Sequence, residues 1–165
     1  MQLKTLNLGD ITIDKLLASD IDAYFLLMND AHIAQGCGFE PINSKRKAEL
    51  LLQSDIDDNT VAIRDSKSNQ LIGLINLFET IGVNNEPTLT ELDLGYLISR
   101  DYSHKGYMTL ALSKVIDLIR SMQTTNKIFG TFKKGNLASM KVLKNNGFVK
   151  DSADTLTETW VLNLK

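Results

Sequence analysis

Gly106 stands where a polar turn, Arg100 to Lys105, runs into a helical pattern. Upstream, Leu92, Leu94, Tyr96 and Ile98 alternate with Glu91, Asp93, Gly95 and Leu97, the pattern of a strand with a mostly apolar face. Downstream, Met108, Leu112, Val115, Leu118, Ile119 and Met122 recur at helical spacing, with Lys114, Asp117 and Arg120 largely opposite. A strand, a tight turn and a glycine at a helix start leave unpaired backbone N–H groups aimed out of the helix N-terminus. Those donors and the helix dipole together attract phosphate. The chemistry offered here is recognition of a phosphorylated ligand; the alternative is that Gly106 serves backbone geometry alone.

Other elements must hold that unit in place. Ile11 to Leu16 alternates and reads as a strand. Ser19 or Asp20 can cap a helix through Asn29, with Ile21, Tyr24, Phe25 and Met28 on one side. Asp30 to Pro41 holds two glycines, Cys37 and a proline, and reads as a loop with at most a short helical turn. Ser44 starts a second helix, with Ala48, Leu51 and Leu52 inward and Lys45, Arg46 and Lys47 on a solvated face. Thr60 to Arg64 and Leu71 to Phe78 form a hairpin, followed by a loop from Gly82 to Pro87. After the long helix come a strand, Lys127 to Phe132, and a short helix from Asn136 with Leu137, Met140 and Leu143 toward the core. Gly147 ends that helix in the left-handed conformation that helix ends favour. Phe148–Val149 and Leu156 to Leu164 close the chain as strands. This order predicts an α+β (α/β) fold with a mixed, mostly antiparallel sheet and about four helices.

Bulk properties narrow the classes. The chain has 165 residues, 43% hydrophobic and 23% charged, which fits one soluble globular domain over 1–165. A net charge of −2 gives no basic surplus for nucleic acid. One cysteine, Cys37, excludes an intrachain disulfide and offers no zinc-ligand set, so no metal is expected; the residue reads as a small, partly buried side chain. The start lacks an apolar core long enough for a secretion signal, and no run approaches the roughly 20 apolar residues of a membrane span. The expected location is the cytoplasm.

Two stretches together resemble the GNAT acetyltransferase superfamily, and most closely its RimJ/RimL-like branch. The first is L-G-Y-L-I, then Arg100, Asp101 and Tyr102, then K-G-Y-M-T, which looks like the family's strand end, acidic-aromatic turn and pyrophosphate loop. The second is N-L-A-S-M-K-V-L-K-N-N-G-F, Asn136 to Phe148, similar to the family's Asn, Ser three residues later, and Gly-Phe ending. The loop departs from the family pattern. A glycine is usual where His104 stands, a small residue where Met108 stands, and a basic or aromatic residue where Ser103 stands. His104 adds bulk but can donate to phosphate, or is an exposed turn residue; Met108 points to the core.

The resemblance implies the GNAT acyl-CoA N-acyltransferase fold, with two splayed strands, here Leu92–Arg100 and Lys127–Phe132. Acetyl-CoA is then the cosubstrate. The backbone of Leu97, Ile98 and Ser99 is expected to hold its pantetheine arm, with amides of His104, Lys105, Gly106, Tyr107, Met108 and Thr109 on the pyrophosphate and Asn136 near the arm. Asp93 or Glu91, on one side of the strand, takes the amine proton, or each is a solvent-facing strand residue. Ser139, on one helix face with Asn136, protonates or hydrogen-bonds the coenzyme A sulfur, whose thiol has an ordinary pKa of about 8.5; the alternative is a capping contact in the first turn. Tyr96 is expected to pack in the core and Tyr102 to line the cofactor entrance. The acceptor is a primary amine, a protein N-terminus or a small amine, bound by loops around Asp30–Pro41 and Gly82–Pro87 to a monomer or homodimer. Competing expectations are a polyamine or aminoglycoside acetyltransferase, a non-catalytic acyl-CoA-binding module, and an interaction domain without a cofactor.

Overall fold

A computed structural model describes residues 4–58, 60–82 and 84–165. Residues 1–3, 59 and 83 lie outside the described residues, and with them the start of the N-terminal stretch and one position of the 82–87 loop. The elements are β1 (Leu6–Asn7), β2 (Ile11–Lys15), α1 (Ile21–Asn29), α2 (Ala31–Cys37), α3 (Lys45–Asp57), β3 (Val61–Asp65), β4 (Leu71–Ile81), β5 (Pro87–Ile98), α4 (Tyr107–Met122), β6 (Lys127–Lys133), α5 (Leu137–Asn145), β7 (Val149–Ala153) and β8 (Thr157–Asn163). Short 3-10 turns at Ala18–Asp20 and Arg100–Tyr102 precede α1 and α4.

The strands form a sheet in the order β1-β2-β3-β4-β5-β6-β8-β7. Every pairing is antiparallel except β5 with β6. A parallel pair needs a crossover, and α4 supplies it. Both faces of the sheet are covered. Val61 and Ile63 enter the core under α4 and α5, while Ala62 between them enters the core under α1 and α3. This is why β3 is buried at four successive positions where a one-faced strand would alternate.

Helix α4 binds through Met108, Ala111, Leu112, Val115, Ile116 and Ile119, all buried. Burial of side chains of this kind stabilises by about 2 kcal/mol each, so Leu112→Ala is expected to cost about 2–5 kcal/mol. Leu118 is only partly buried and Met122 is 41% exposed, so the apolar stripe is narrower at its C-terminal end than the spacing suggests.

Several sequence expectations change. The Asp30–Pro41 stretch contains a true helix, α2, capped by the Asp30 carboxylate on the amides of His32 and Ile33 and closed by Gly38 at φ 82; the described residues thus hold five α-helices. Asp20 does not cap α1 with its side chain. It forms a bidentate pair with the buried Arg64 guanidinium at 2.7 and 2.8 Å instead. Leu137, expected in the core, is 61% exposed, whereas Leu143 is buried in the core and Met140 packs against it. The strand after Gly147 runs to Ala153 and pairs with β8.

Candidate active site

β5 and β6 pair from Glu91↔Lys127 to Leu94↔Gly130 and then separate. Beyond that point each strand keeps its outer partner, β4 on one side and β8 on the other. The opened edges can be assigned residue by residue. Ser99 donates its N–H to Ile72 O at 2.7 Å. Alternate residues of an antiparallel strand direct their polar groups to opposite edges. Leu97 and Ser99 therefore face β4, and Tyr96 and Ile98 face the gap. Of the three residues expected to present backbone there, only Ile98 does, and Tyr96 joins it. On β6, Leu164 donates to Asn126 O and Lys134 to Leu156 O, which leaves Thr131 and Lys133 facing the gap. The space between is a cavity of about 350 Å³ lined by Gly95, Tyr96, Thr131, Lys133, Ser139 and Cys37, among others.

Two glycines shape this gap. A Cβ on Gly130 would stand 3.0 Å from both Leu143 methyls, so its absence lets α5 close on the sheet at the point where pairing stops. A Cβ on Gly73 would stand 2.7 Å from the Leu97 carbonyl oxygen, so β4 and β5 approach closely beside the gap.

At the far end of β5 the chain makes its 3-10 turn and enters α4. Gly106 caps the helix at φ 81 with no side-chain bond, and Leu110 N–H to Gly106 O is the first helical bond. The amides from His104 to Thr109 find no partner among the described residues. They form a donor cluster at the positive end of a 16-residue helix. His104 lies at φ 59. Histidine is among the residues that tolerate this region, so it holds the shape a glycine would give. Lys105 Nζ lies 5.3 Å from the Tyr102 ring centroid, beside the donor cluster. Met108 is buried, as its place in the first helical turn requires.

Asn136 caps α5 by accepting from the Ser139 amide at 3.1 Å, and its Nδ2 reaches Gly36 O at 3.4 Å. Ser139 thereby lines the cavity from the first turn of α5. Its carbonyl accepts from the Tyr96 hydroxyl at 3.1 Å. Burial pushes the Tyr96 pKa up to about 12, with the Ser139 side chain opposing and Cys37 adding to the rise. Asp93 stands one residue before the last paired position of β5, exposed on the face shared with α1 and α3. Burial of its carboxyl by the surroundings, and then the charge of Glu91, hold its pKa above the usual carboxylate range. Glu91 is paired with Lys127 at 3.6 Å.

The part played by the end of α2 has no trace in the residue pattern. Lys133 Nζ donates to Gln35 O at 3.0 Å, Asn136 to Gly36 O, and Cys37 Sγ to Tyr96 O at 3.6 Å. The last turn of α2 thus touches β5, β6 and the cap of α5, and walls the cavity. Cys37 is exposed by area, yet the protein around its sulfur pushes the thiol pKa up. An Asp ahead of a short helical run, as Asp30 is, is the local signal that could have found this helix. His32 is exposed on the same helix. Among the described residues, no cluster of His, Cys, Asp or Glu could hold a metal ion and no helix is long and apolar enough to cross a membrane.

A gap between parallel strands, donors at the helix that follows, and a serine at its mouth agree with what comparison finds. Residues 10–149 match the family described as the acetyltransferase (GNAT) domain. A curated relative, the probable N-acetyltransferase YjcK of Bacillus subtilis (strain 168), is 30% identical over 86 residues, 52% of this chain; the match spans 45% of that protein's length. Ribosomal-protein-S5-alanine acetyltransferase from Vibrio fischeri superposes with a TM-score of 0.79 at 20% identity, over 97% of this chain and 96% of that one. Spermidine N-acetyltransferase from Vibrio cholerae, in complex with CoA and spermine, superposes with a TM-score of 0.80 at 18% identity, over 94% and 96%. With the matched segment running from the start of β2 to the start of β7, the chain belongs to the GNAT acetyltransferase family.

Proposed function

We propose that the chain is an N-acetyltransferase, a single domain that uses acetyl-CoA to acetylate a primary amine, with a protein or peptide N-terminal α-amine as the preferred acceptor. The observation that carries this reading is the opened edge itself. Tyr96 and Ile98 on one side, and Thr131 and Lys133 on the other, direct backbone polar groups into a cavity with no strand between them. An extended amide-bearing arm satisfies such groups as a strand would. The free amides from His104 to Thr109 then receive the pyrophosphate. The thioester supplies an activated acetyl carbon.

The chain's own residues do the rest. Asp93 accepts a proton from the acceptor, directly or through water, so that a neutral amine attacks the acetyl carbon. The Ser139 hydroxyl meets the sulfur as the carbon–sulfur bond breaks, and a proton returns to the thiolate to give free coenzyme A and the amide. An α-amine, with a pKa of about 7.7–8.0, is partly neutral near pH 7, whereas a lysine or polyamine amine near 10.4 needs roughly three units more help. One weak carboxylate base suits the first. Glu91, the other carboxylate on this side of the strand, is paired with Lys127 at 3.6 Å. A RimJ/RimL-like assignment and action in the cytoplasm are parts of the same reading.

The test is release of free thiol from acetyl-CoA in the presence of peptides, polyamines and aminoglycosides. Turnover highest with a peptide N-terminus supports the reading. Turnover confined to spermidine moves the chain to the polyamine class. A rise in melting temperature with acetyl-CoA but no thiol release with any amine leaves an acyl-CoA-binding module.

A further inference from the structure

We infer that Asn76 and Gly95 form the seat of the acceptor amine, with the Asn76 side-chain oxygen receiving one of its N–H groups over the space that Gly95 leaves. The inference rests on the acetyl-transfer reading above. Gly95 and Asn76 are partners across β5 and β4, one residue past Leu94↔Leu77 and two past Asp93↔Phe78. On this face of β5 the series Glu91, Asp93, Gly95, Leu97 carries a side chain at every place but one. Neither crowding nor backbone shape requires that absence. A Cβ at Gly95 would lie 3.6 Å from the Phe78 ring and 3.9 Å from Asn76 Cβ, in ordinary contact, and Gly95 is not among the residues at positive φ. The missing side chain therefore leaves room for about one methyl group, in contact with the 45% exposed Phe78 ring and with Asn76 and on the face that carries Asp93.

The Asn76 amide is locked in one orientation. Its Nδ2 donates to Asp55 Oδ1 at 3.2 Å and to Thr60 Oγ1 at 2.9 Å. Asp55 Oδ2 accepts from the Tyr24 hydroxyl at 2.7 Å. A carboxylate only accepts, so the nitrogen end of the amide must face it. Both N–H groups of Asn76 are then used and Oδ1 is turned away from the clamp. Among the described residues Oδ1 has no hydrogen-bond partner, and it is not among the side-chain atoms sealed from solvent. Asn76, whose Cβ would stand 3.9 Å from a Cβ on Gly95, thus carries a fixed acceptor oxygen on the face that carries Asp93.

The chemistry of the fit selects amines. A neutral primary amine keeps an N–H for Asn76 while it offers its lone pair to the acetyl carbon; Asp93, having passed the first proton to solvent, takes the other N–H proton as the amide forms. An alcohol has a single hydrogen, which the base must take, so it cannot satisfy both oxygens. Asn76 is a specificity-determining residue on this account, and Tyr24, Asp55 and Thr60 are positioning residues that act through it.

Thiol-release kinetics on Gly95→Ala and Asn76→Leu, with an alanine-initiated tetrapeptide and with spermidine as acceptors, test the seat. Acetyl-CoA affinity is measured alongside by calorimetry. The expected result is an acceptor KM raised about tenfold or more in each variant, the loss of one hydrogen bond or of the space for it, with acetyl-CoA Kd unchanged. Should Asn76→Leu fail to fold, Gly95→Ala and Thr60→Val decide; the latter frees the amide to turn and raises KM for the acceptor alone. An acceptor KM equal to wild type in folded Gly95→Ala overturns the seat and leaves the acetyl-transfer reading standing. A wild-type protein that binds acetyl-CoA yet acetylates no amine overturns that reading, and the seat with it.

Discussion

The Tyr96 hydroxyl donates to the Ser139 carbonyl oxygen across 3.1 Å, so the strand on one side of the gap is tied to the first turn of the helix on the other. Tyr96→Phe removes this tie without changing the ring. The expected cost is about 1 kcal/mol, the net worth of one such bond, read as a shift in denaturant midpoint. The pH dependence has a defined sign. The folded pKa is raised from 10.0 to about 12, so the contribution is complete below the unfolded value and disappears as pH climbs through the folded one. Wild type should lose stability between those limits more steeply than Tyr96→Phe; parallel curves would show that the hydroxyl is not held as described.

Ser139→Ala tests the sulfur end of the cleft. The amide of residue 139 still caps onto Asn136, so the helix start survives. Turnover is expected to fall about tenfold or more, toward the 10²-fold typical of a lost proton donor. Acetyl-CoA affinity should move little. Equal turnover in variant and wild type would remove the hydroxyl from the mechanism.

Asp93→Asn tests the base. The wild-type carboxyl titrates above the usual carboxylate range, chiefly through burial and then through Glu91. Its ionised form is the active one, so kcat/KM for the acceptor should fall as pH drops through that raised value. The variant should be about 10²-fold slower at neutral pH and lose that acid limb. A raised carboxylate pKa favours the folded state at low pH and disfavours it once ionised. Asp93→Asn is therefore expected to be at least as stable as wild type at neutral pH, measured by thermal melting.

His104→Gly tests the loop. At φ 59 a side chain costs about 1 kcal/mol, which glycine avoids while adding a comparable loss of chain entropy on folding. Melting temperature should stay within a few degrees of wild type. Acetyl-CoA should bind at least as tightly, because the backbone keeps its donor cluster. A large loss of affinity would mean that the imidazole itself holds phosphate. His104→Val, β-branched at positive φ, should destabilise clearly more.

What could be read from the residues was local. The strand, turn and helix from Glu91 to Met122 announce themselves because alternation, a glycine and helical spacing all act within a few residues. Asn136 and Gly147 bracket α5 for the same reason. α2 escaped because Gly36 and Gly38 suggest a loop, whereas Gly38 merely terminates a helix that Asp30 has already capped. The seat residue Asn76 lies inside an apolar run, and only the β4–β5 register sets it beside Gly95. Assigning Leu97 and Ser99 to the gap failed on a parity that no sequence pattern contains: which edge of β5 each peptide faces depends on where β4 begins to pair. The Arg64–Asp20 pair, 3% and 10% exposed, likewise joins residues 44 apart and had no local trace.

The parallel pairing of β5 with β6 covers four residues, Glu91 to Leu94 on one strand and Lys127 to Gly130 on the other. Among the described residues it is the sole ladder linking the N-terminal five strands to the C-terminal three. The two halves of the sheet share one core beneath α4 and α5 but only this short seam of backbone pairing, and any guest bonded to both edges lengthens that seam. Occupancy should therefore slow amide exchange in β6, β8 and β7, strands remote from the phosphate loop, and turn filling of the cleft into mechanical stiffening of the whole sheet.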